Sequence, residues 1–359
     1  VTLQAMPDRP TRKDALDAVE LLEGLLIEFP FVDDPSHSVG LSTLITPVVR
    51  GCMDVAPMHA ATAPTAGTGK SYLFDTASAI AIGSRCPVMS AGKTEEELGK
   101  RIGAKILSGS PLICIDNANG ELGGEDICHA VEQPIVEVRV LGKSEMPKAV
   151  NRFCVFANGN NMTVHGDMTR RTLLSSMDRK TERPGEYPFK SDPVRSVLAD
   201  RGKYVAACLT IVRAYFIAGR PSVTDTPMNS FGMWSNSVRS ALVWLGYADP
   251  CETIETARDN DPELQQLTQF IIACEKDIGT GKNNAVSTSE MADMVHGKMQ
   301  NMADYANLRE ACTPFMPRGI LNTMQLGKWL GRMRKRVVGD LHIAKRTSNG
   351  VNSWFLAGK

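Results

Sequence analysis

No stretch of this chain approaches the roughly 20 uninterrupted apolar residues of a membrane span, and even the apolar run 212–217 is broken by Arg213. The N-terminus lacks the charged-then-apolar pattern of a signal peptide, so the expected compartment is the cytoplasm. Its first residue, Val1, is no initiator methionine, and a processed or excised piece of a longer protein is expected. Paired cysteines are missing too. The nine cysteines stand singly, without a C-x-x-C, which argues against a zinc site or a disulfide framework. Cys114, Cys154 and Cys208 lie in apolar runs, where a thiol packs as a small hydrophobe in a reducing compartment. Net charge is absent as well, with 40 basic residues against 40 acidic ones, so any contact with a polyanion is confined to one segment. Internal repeats and low-complexity tracts are not found.

The 359 residues, 43% hydrophobic and 22% charged, suffice for one large core or two ordinary ones. Leu16, Val19, Leu22 and Leu25 recur at helical spacing, as do Leu41, Leu44 and Val48. Residues 1–55 therefore read as a helical segment interrupted by a loop at 29–36. From residue 58 the pattern becomes strand, glycine loop, helix, and repeats. Thr94 with Glu97 forms a capping box ahead of Leu98, Ile102 and Ile106. Residues 86–90, 112–116 and 153–157 read as strands, and 135–150 as a β-hairpin. This alternation predicts an α/β core over 56–190, with a parallel sheet and helices on both faces. Residues 191–280 read as helical. Residues 281–359 read as a separate basic end, helical and then closing on a small hairpin at 352–356.

The chemistry concentrates at Ala63-Pro64-Thr65-Ala66-Gly67-Thr68-Gly69-Lys70-Ser71. A phosphate-binding loop needs backbone N–H groups curled around oxygens, glycines that permit the curl, a lysine for the β/γ-phosphates and a hydroxyl for Mg²⁺. Thr65, Ala66, Gly67, Thr68 and Gly69 supply the loop, and Lys70 and Ser71 the last two groups, at the start of a helix whose N-terminus favours an anion. Pro64 replaces the first glycine of the pattern. The expected ligands are ATP and Mg²⁺. Asp116 ends an apolar strand and suits the second Mg²⁺ group beside Ser71. Asn117 follows it where a water-polarising glutamate often stands; asparagine accepts no proton, which leaves Glu121 or Glu125 as substitutes, or slow hydrolysis. Asn160, favoured over Asn158, is the candidate to orient the attacking water.

Further candidates follow from the order of the motifs. Arg170 and Arg171 stand where ring ATPases present an arginine to a neighbouring γ-phosphate. Lys143 at the expected hairpin tip, with Lys148 nearby, suits a phosphate-gripping loop. Near the C-terminus, Leu326, Leu330, Met333 and Val337 read as one stripe of a helix, and Lys328, Arg332, Lys335 and Arg336 as another. With a short hairpin at Trp354, this predicts a winged-helix-like element holding nucleic-acid phosphates.

Taken together, Phe29-Pro30-Phe31, the loop 63–71, Ile115-Asp116-Asn117, Val138-Arg139-Val140-Leu141-Gly142, Gly159-Asn160-Asn161, Gly166-Asp167-Met168-Thr169-Arg170-Arg171, Trp234-Ser235, Val238-Arg239 and Trp244-Leu245-Gly246 resemble the ATPase domain of primase–helicase proteins of phages and integrated mobile elements. The resemblance implies an AAA+ helicase akin to superfamily 3: a homo-oligomer, expected to be a hexamer, with single-stranded DNA in its pore. It also implies a helical lid over 191–280 and a primase domain or partner, while the winged-helix-like reading of 281–359 puts duplex DNA at that C-terminal domain. A lid arginine touching the nucleotide is implied too, with Arg239 and Arg201 both candidates. Pro64 and Asn117 depart from the pattern and weaken the expectation of fast hydrolysis rather than of nucleotide binding. The rival reading is an ATP-switched initiator or loader that binds DNA without translocating. A nucleotide-binding signalling module is disfavoured by the basic C-terminal helix.

Overall fold

The computed structural model describes residues 2–140, 142, 144–186, 189–224, 226–298, 304–348 and 350–358. They form two units, Val1–Asp261 and Pro262–Lys359.

The first unit opens with α1 (Arg12–Leu26), whose N-terminus is closed by Thr11 and Asp14 capping each other's backbone. Its Val19, Leu22 and Leu25 are buried, as their spacing predicts, but Leu16 is 37% exposed and Ala15 takes its place in the buried face. Next, α2 (Asp34–Val49) is capped by Asp33 and is buried on nearly every side, with Leu41, Leu44 and Ile45 fully enclosed. Then come β1 (Met58–Ala63), α3 (Lys70–Ile82), β2 (Val88–Ser90), α4 (Glu95–Leu107), β3 (Leu112–Asp116), β4 (Glu121–Leu122) and α5 (Glu125–Glu132). The hairpin expected at 135–150 is β5 (Ile135–Glu137) antiparallel to β6 (Lys148–Val150). It leads to β7 (Cys154–Asn160), β8 (Thr163–Val164), a 3₁₀ turn at Gly166–Arg171 and β9 (Thr172–Ser176).

Five of these strands make one parallel sheet in the order β2-β3-β7-β1-β9. Its inner strands are buried along almost their whole length, as a sheet covered on both faces requires. Phe74 of α3 stacks on Phe156 of β7, with ring centres 4.8 Å apart. His59, enclosed in β1, bonds Ser42 at 2.8 Å. Burial lowers its pKa to about 3, so the imidazole is neutral.

The helices after the sheet are α6 (Pro193–Ala199), α7 (Arg201–Ile217), α8 (Gly232–Trp234), a π turn at Ser235–Arg239, α9 (Ser240–Leu245) and α10 (Glu252–Asp259). Among the described residues no helix is long and apolar enough to cross a membrane.

The second unit contains α11 (Pro262–Asp277), β10 (Val286–Ser287), α12 (Thr288–Val295), α13 (Ala306–Ala311), α14 (Thr323–Met333), β11 (Val337–Val338), β12 (Leu341–Ser348) and β13 (Val351–Gly358). Its antiparallel sheet runs β10-β13-β12-β11, and Phe270, Trp329, Leu330, Ile343 and Trp354 lie in its core. Two expectations need correction here. The closing hairpin is eight residues per strand rather than confined to 352–356, because the basic Lys345 and Arg346 hide the alternation of β12. The apolar stripe also ends at Met333. Lys335 turns the chain at φ 70°, and Val337 lies on β11, 41% exposed.

One buried cation ties the first unit together. Arg50, 4% exposed, donates to the carbonyls of Met53 (2.6 Å), Phe153 (2.9 Å), Asn151 (2.9 Å) and Asp54 (3.1 Å), and to the Asn151 side chain (2.9 Å). Asn151 in turn donates to Ala130 and Gln133 at 2.8 and 2.9 Å. The end of α2, the approach to β1, the end of α5 and the start of β7 thus meet at one guanidinium. Removing a partner strands buried acceptors, and hydrogen bonds to a charge contribute more than neutral ones. Arg50→Ala is expected to cost about 3 kcal/mol or more, read from the urea midpoint. Arg50→Lys is expected to recover less than half of that, since an ammonium lacks the planar fork.

Candidate nucleotide site

The glycine loop leaves β1 at the carboxyl edge of the sheet, where α/β sheets place their ligands. Gly67 and Gly69 have φ of 83° and 105°, conformations that a side chain disfavours. Both are also pressed closely from outside. A Cβ on Gly67 would stand 2.9 Å from the Gly185 nitrogen, and one on Gly69 would stand 2.8 Å from the Phe189 ring. Helix α3 then begins at Lys70, so its first N–H groups face the loop.

The Lys70 side chain, 7% exposed, folds back into the loop. Its ammonium donates to the Thr65 carbonyl (3.0 Å), Thr68 Oγ1 (3.1 Å) and Asn160 Oδ1 (2.9 Å). All three acceptors are neutral. Burial lowers the lysine pKa, and the charge of Asp116 only partly offsets this. A cation so placed favours the arrival of an anion. Ser71 Oγ lies 3.5 Å from Asp116 Oδ1. One hydroxyl and one carboxylate fit Mg²⁺, which keeps several of its waters. Among the described residues no cluster of three or more metal-ligating side chains offers another metal centre.

Strands β1 and β7 pair so that Ala63 faces Asn160, which is how Asn160 reaches Lys70. The Asn160 N–H donates to Asn119 Oδ1 at 2.8 Å, a partner that the sequence pattern did not mark. Asn158 is enclosed, and its side-chain nitrogen has no partner. Asn117 sits at φ 54°, a left-handed turn that asparagine tolerates, and its side chain donates weakly to Asp116 at 3.4 Å. The residue at the expected glutamate position therefore serves a turn.

Sequence reasoning also missed the segment that crosses the loop. Glu28 accepts from Lys190 N (2.7 Å), Ser191 N (2.8 Å) and Ser191 Oγ (2.6 Å), and the hydroxyl, then the two amides, hold its carboxyl below the ordinary range. Phe189 packs edge-on against Phe29 and Tyr72 at 4.9 and 5.3 Å, and Tyr72 bonds Asp192. Phe29 came into view only through the resemblance. Tyr72 and Phe189 carry no local signal, because only folding brings residues 29, 72 and 189 together.

The remaining candidates lie elsewhere. Arg170 and Arg171 precede β9, whose Thr172 pairs with Met58 at the start of β1, so they occupy the sheet edge opposite the loop. Arg171 is buried and bound to Glu132 (2.7 Å) and Asp167 (2.5 Å). Arg170 is half exposed, bonded to Asp167 at 2.5 Å and 3.6 Å from Glu132. It lines a cavity of about 410 Å³ together with Arg239. Arg239 is buried, held by Asp249 at 2.6 Å and by the Thr226 carbonyl at 2.6 Å. Arg201 donates to the carbonyl of Ile80 at 2.8 Å and to that of Ala81, near the far end of α3, about 16 Å along the helix from Lys70. Neither lid candidate is brought to the loop. Lys143 lies outside the described residues. Lys148 stands on β6 rather than at a tip and pairs with Glu137 at 3.3 Å. In the second unit Lys328 is exposed, whereas Arg332 and Arg336 share Glu263 at 2.7 and 3.0 Å. Lys335 and Arg336 lie beyond the end of α14, so the four cations do not share one helical face.

No family model and no curated protein matches the chain. Among solved structures, two apo structures of the NrS-1 C-terminal region are similar to it. One is 11% identical over 99% of this chain and 78% of that one, with a TM-score of 0.42; the other is 9% identical over 99% and 77%, with a TM-score of 0.44. A JCV helicase with a bound compound is 13% identical over 70% of this chain and 68% of that one, with a TM-score of 0.29. Likenesses at this level do not bear on function, which is argued from the site itself.

Glu132 yields a pH test. Burial acts to raise its carboxyl, but hydrogen bonds from Ser230 and Arg171 and the charges of Arg171 and Arg170 outweigh it, and the pKa is lowered from 4.5. A depressed acid stabilises the fold above its unfolded pKa, and the contribution fades as pH falls through the folded value. Glu132→Gln is expected to cost about 2 kcal/mol or more at pH 7 by leaving Arg171 underpaired. Melting curves at successive pH values should show the gap between wild type and variant closing below about pH 4.

Proposed function

We propose that the chain is an ATP-hydrolysing helicase or translocase of the AAA+ type, acting on DNA in the replication of a phage or mobile element. The observation that carries this reading is the Lys70 ammonium held in a glycine loop by three neutral oxygens, with the Ser71–Asp116 pair beside it. ATP would lie along residues 65–71, with its Mg²⁺ at Ser71 and Asp116. The bound nucleotide supplies a phosphoanhydride whose cleavage releases free energy. The chain's own groups bind and orient: loop amides and Lys70 receive the phosphates, and Asn160, freed from Lys70, positions water. Arg170, exposed and remote from its own loop, is the better candidate to reach a neighbouring subunit's nucleotide in a hexameric ring. Arg171 is committed to Glu132. The helical segment 191–280 is the proposed lid, and a primase domain or partner the proposed companion.

The order of elements in the second unit supports a winged-helix-like reading, with α14 as the helix that meets duplex DNA and β12–β13 as the wing. Lys328, Arg332, Lys335 and Arg336 are its proposed phosphate contacts, of which Arg332 and Arg336 also pair with Glu263. The rival reading, a DNA-binding switch that assembles without translocating, is favoured by Asn117, which stands where a water-polarising glutamate is expected and accepts no proton.

ATP turnover with and without single-stranded DNA decides between them. For a motor, DNA stimulates turnover and Lys70→Ala reduces it roughly a hundredfold. ATP binding with negligible turnover in either condition supports the switch. No nucleotide binding by the wild type overturns both. For the second unit, Lys328→Ala is expected to weaken duplex binding to all sequences alike and to lower the salt slope by about one. An unchanged slope removes Lys328 from the interface.

A further inference from the structure

The first unit carries an open apolar cavity of about 720 Å³ with no part in the nucleotide site. Its walls come from Val49, Leu209, Val212, Phe216 and Met233, so the end of α2, one face of α7 and the start of α8 all contribute. Phe216 is 45% exposed and Met233 50%. Large apolar side chains left open at a rim mark a surface for a macromolecular partner rather than an enclosed small-molecule site. The thioether of Met233 adapts to different partners. The π turn after α8 brings Asn236 into the cavity lining, and π turns are frequent at functional sites.

The lip has one sign of charge. Its charged residues are Arg213 and Arg220, and no carboxylate is among the described lining residues. Arg213 donates to the Asp8 carbonyl, a neutral acceptor. Arg220 is held at φ 53°, its N–H donating to the Tyr215 carbonyl at 3.1 Å and its guanidinium 5.1 Å above the Phe216 ring. A non-glycine residue in the left-handed region is uncommon, and here it fixes a cation over the apolar floor.

We infer that this cavity docks a peptide segment of a partner protein in which aliphatic or aromatic anchors are flanked by acidic residues. The anchors fill the cavity and the acids meet Arg213 and Arg220, the groove mode of peptide recognition. The inference does not rest on the nucleotide reading. Cys52, exposed and lining the same cavity, is a built-in reporter.

The test uses the full chain and two fluorescein-labelled synthetic peptides. One has Leu and Phe set among Asp and Glu; its twin carries Lys in place of each acid. The acidic peptide is expected to bind and to slow alkylation of Cys52 by N-ethylmaleimide, followed by peptide mass mapping. Met233→Glu should weaken binding about tenfold or more, and Arg220→Asn, which tolerates the same backbone, about threefold. Both residues are exposed, so the melting temperature should not move. Equal binding of the two peptides, or binding indifferent to Met233→Glu, overturns the inference. So does failure of the acidic peptide to bind or protect. Protection by decanoate without peptide binding would instead assign the cavity to a small amphiphile. Self-association abolished by Met233→Glu would assign it to a second copy.

Discussion

The side-by-side ending of β1 and β7 is the constraint from which the rest of the site follows. A parallel sheet buried on both faces carries mostly apolar strands, and their accessible polar groups stand where they emerge. Both strands emerge together, with Ala63 opposite Asn160. The glycine loop therefore rises against asparagines of β7, with the Asp116 carboxylate standing next to Ser71. Lys70 finds three oxygens, none of them charged, within hydrogen-bonding distance. Its geometry is satisfied while its charge is only partly answered, by the more distant Asp116. An anion arriving at the loop would complete what the fold leaves incomplete.

The protein treats its other buried cations differently. Arg50 also has only neutral acceptors, carbonyls and the Asn151 amide oxygen, but its five hydrogen bonds join backbone segments away from the glycine loop. Arg171 is matched by two carboxylates and Arg239 by one, which fixes the turn before β9 and the π turn after α8. In the second unit Glu263 holds Arg332 and Arg336 together. That leaves the unit less basic on its surface than its composition suggests. A count of arginines thus overstates the charge offered to a polyanion, because several are already engaged within the fold.

What could be read from the sequence was whatever short-range pattern encodes. The glycine loop with Lys70 and Ser71, the strand ending at Asp116, the hairpin at 135–150 and the buried stripe of α1 all follow from local spacing, because backbone φ and side-chain periodicity are local properties. The same locality explains Asn117: the residue type signals a turn, and the structure shows that turn at φ 54°. The C-terminal hairpin was underestimated because charged residues on its exposed face masked the alternation. The stripe assigned to one helix ran past a break that Lys335 makes with no glycine or proline to announce it.

By itself the sequence determined that a glycine loop joins a buried strand to a helix, since that depends on neighbours in the chain. Only the tertiary structure decided which distant groups share the loop. It set Asn160 against Lys70 and Phe189 against Phe29, sent Arg201 to the far end of α3, and placed Arg170, Arg171 and Arg239 at the opposite edge of the sheet. The physical reason is that strand order and the direction of each crossing follow from how whole elements bury their apolar faces. That choice is made by the sum of many contacts and leaves no mark at the residues it brings together.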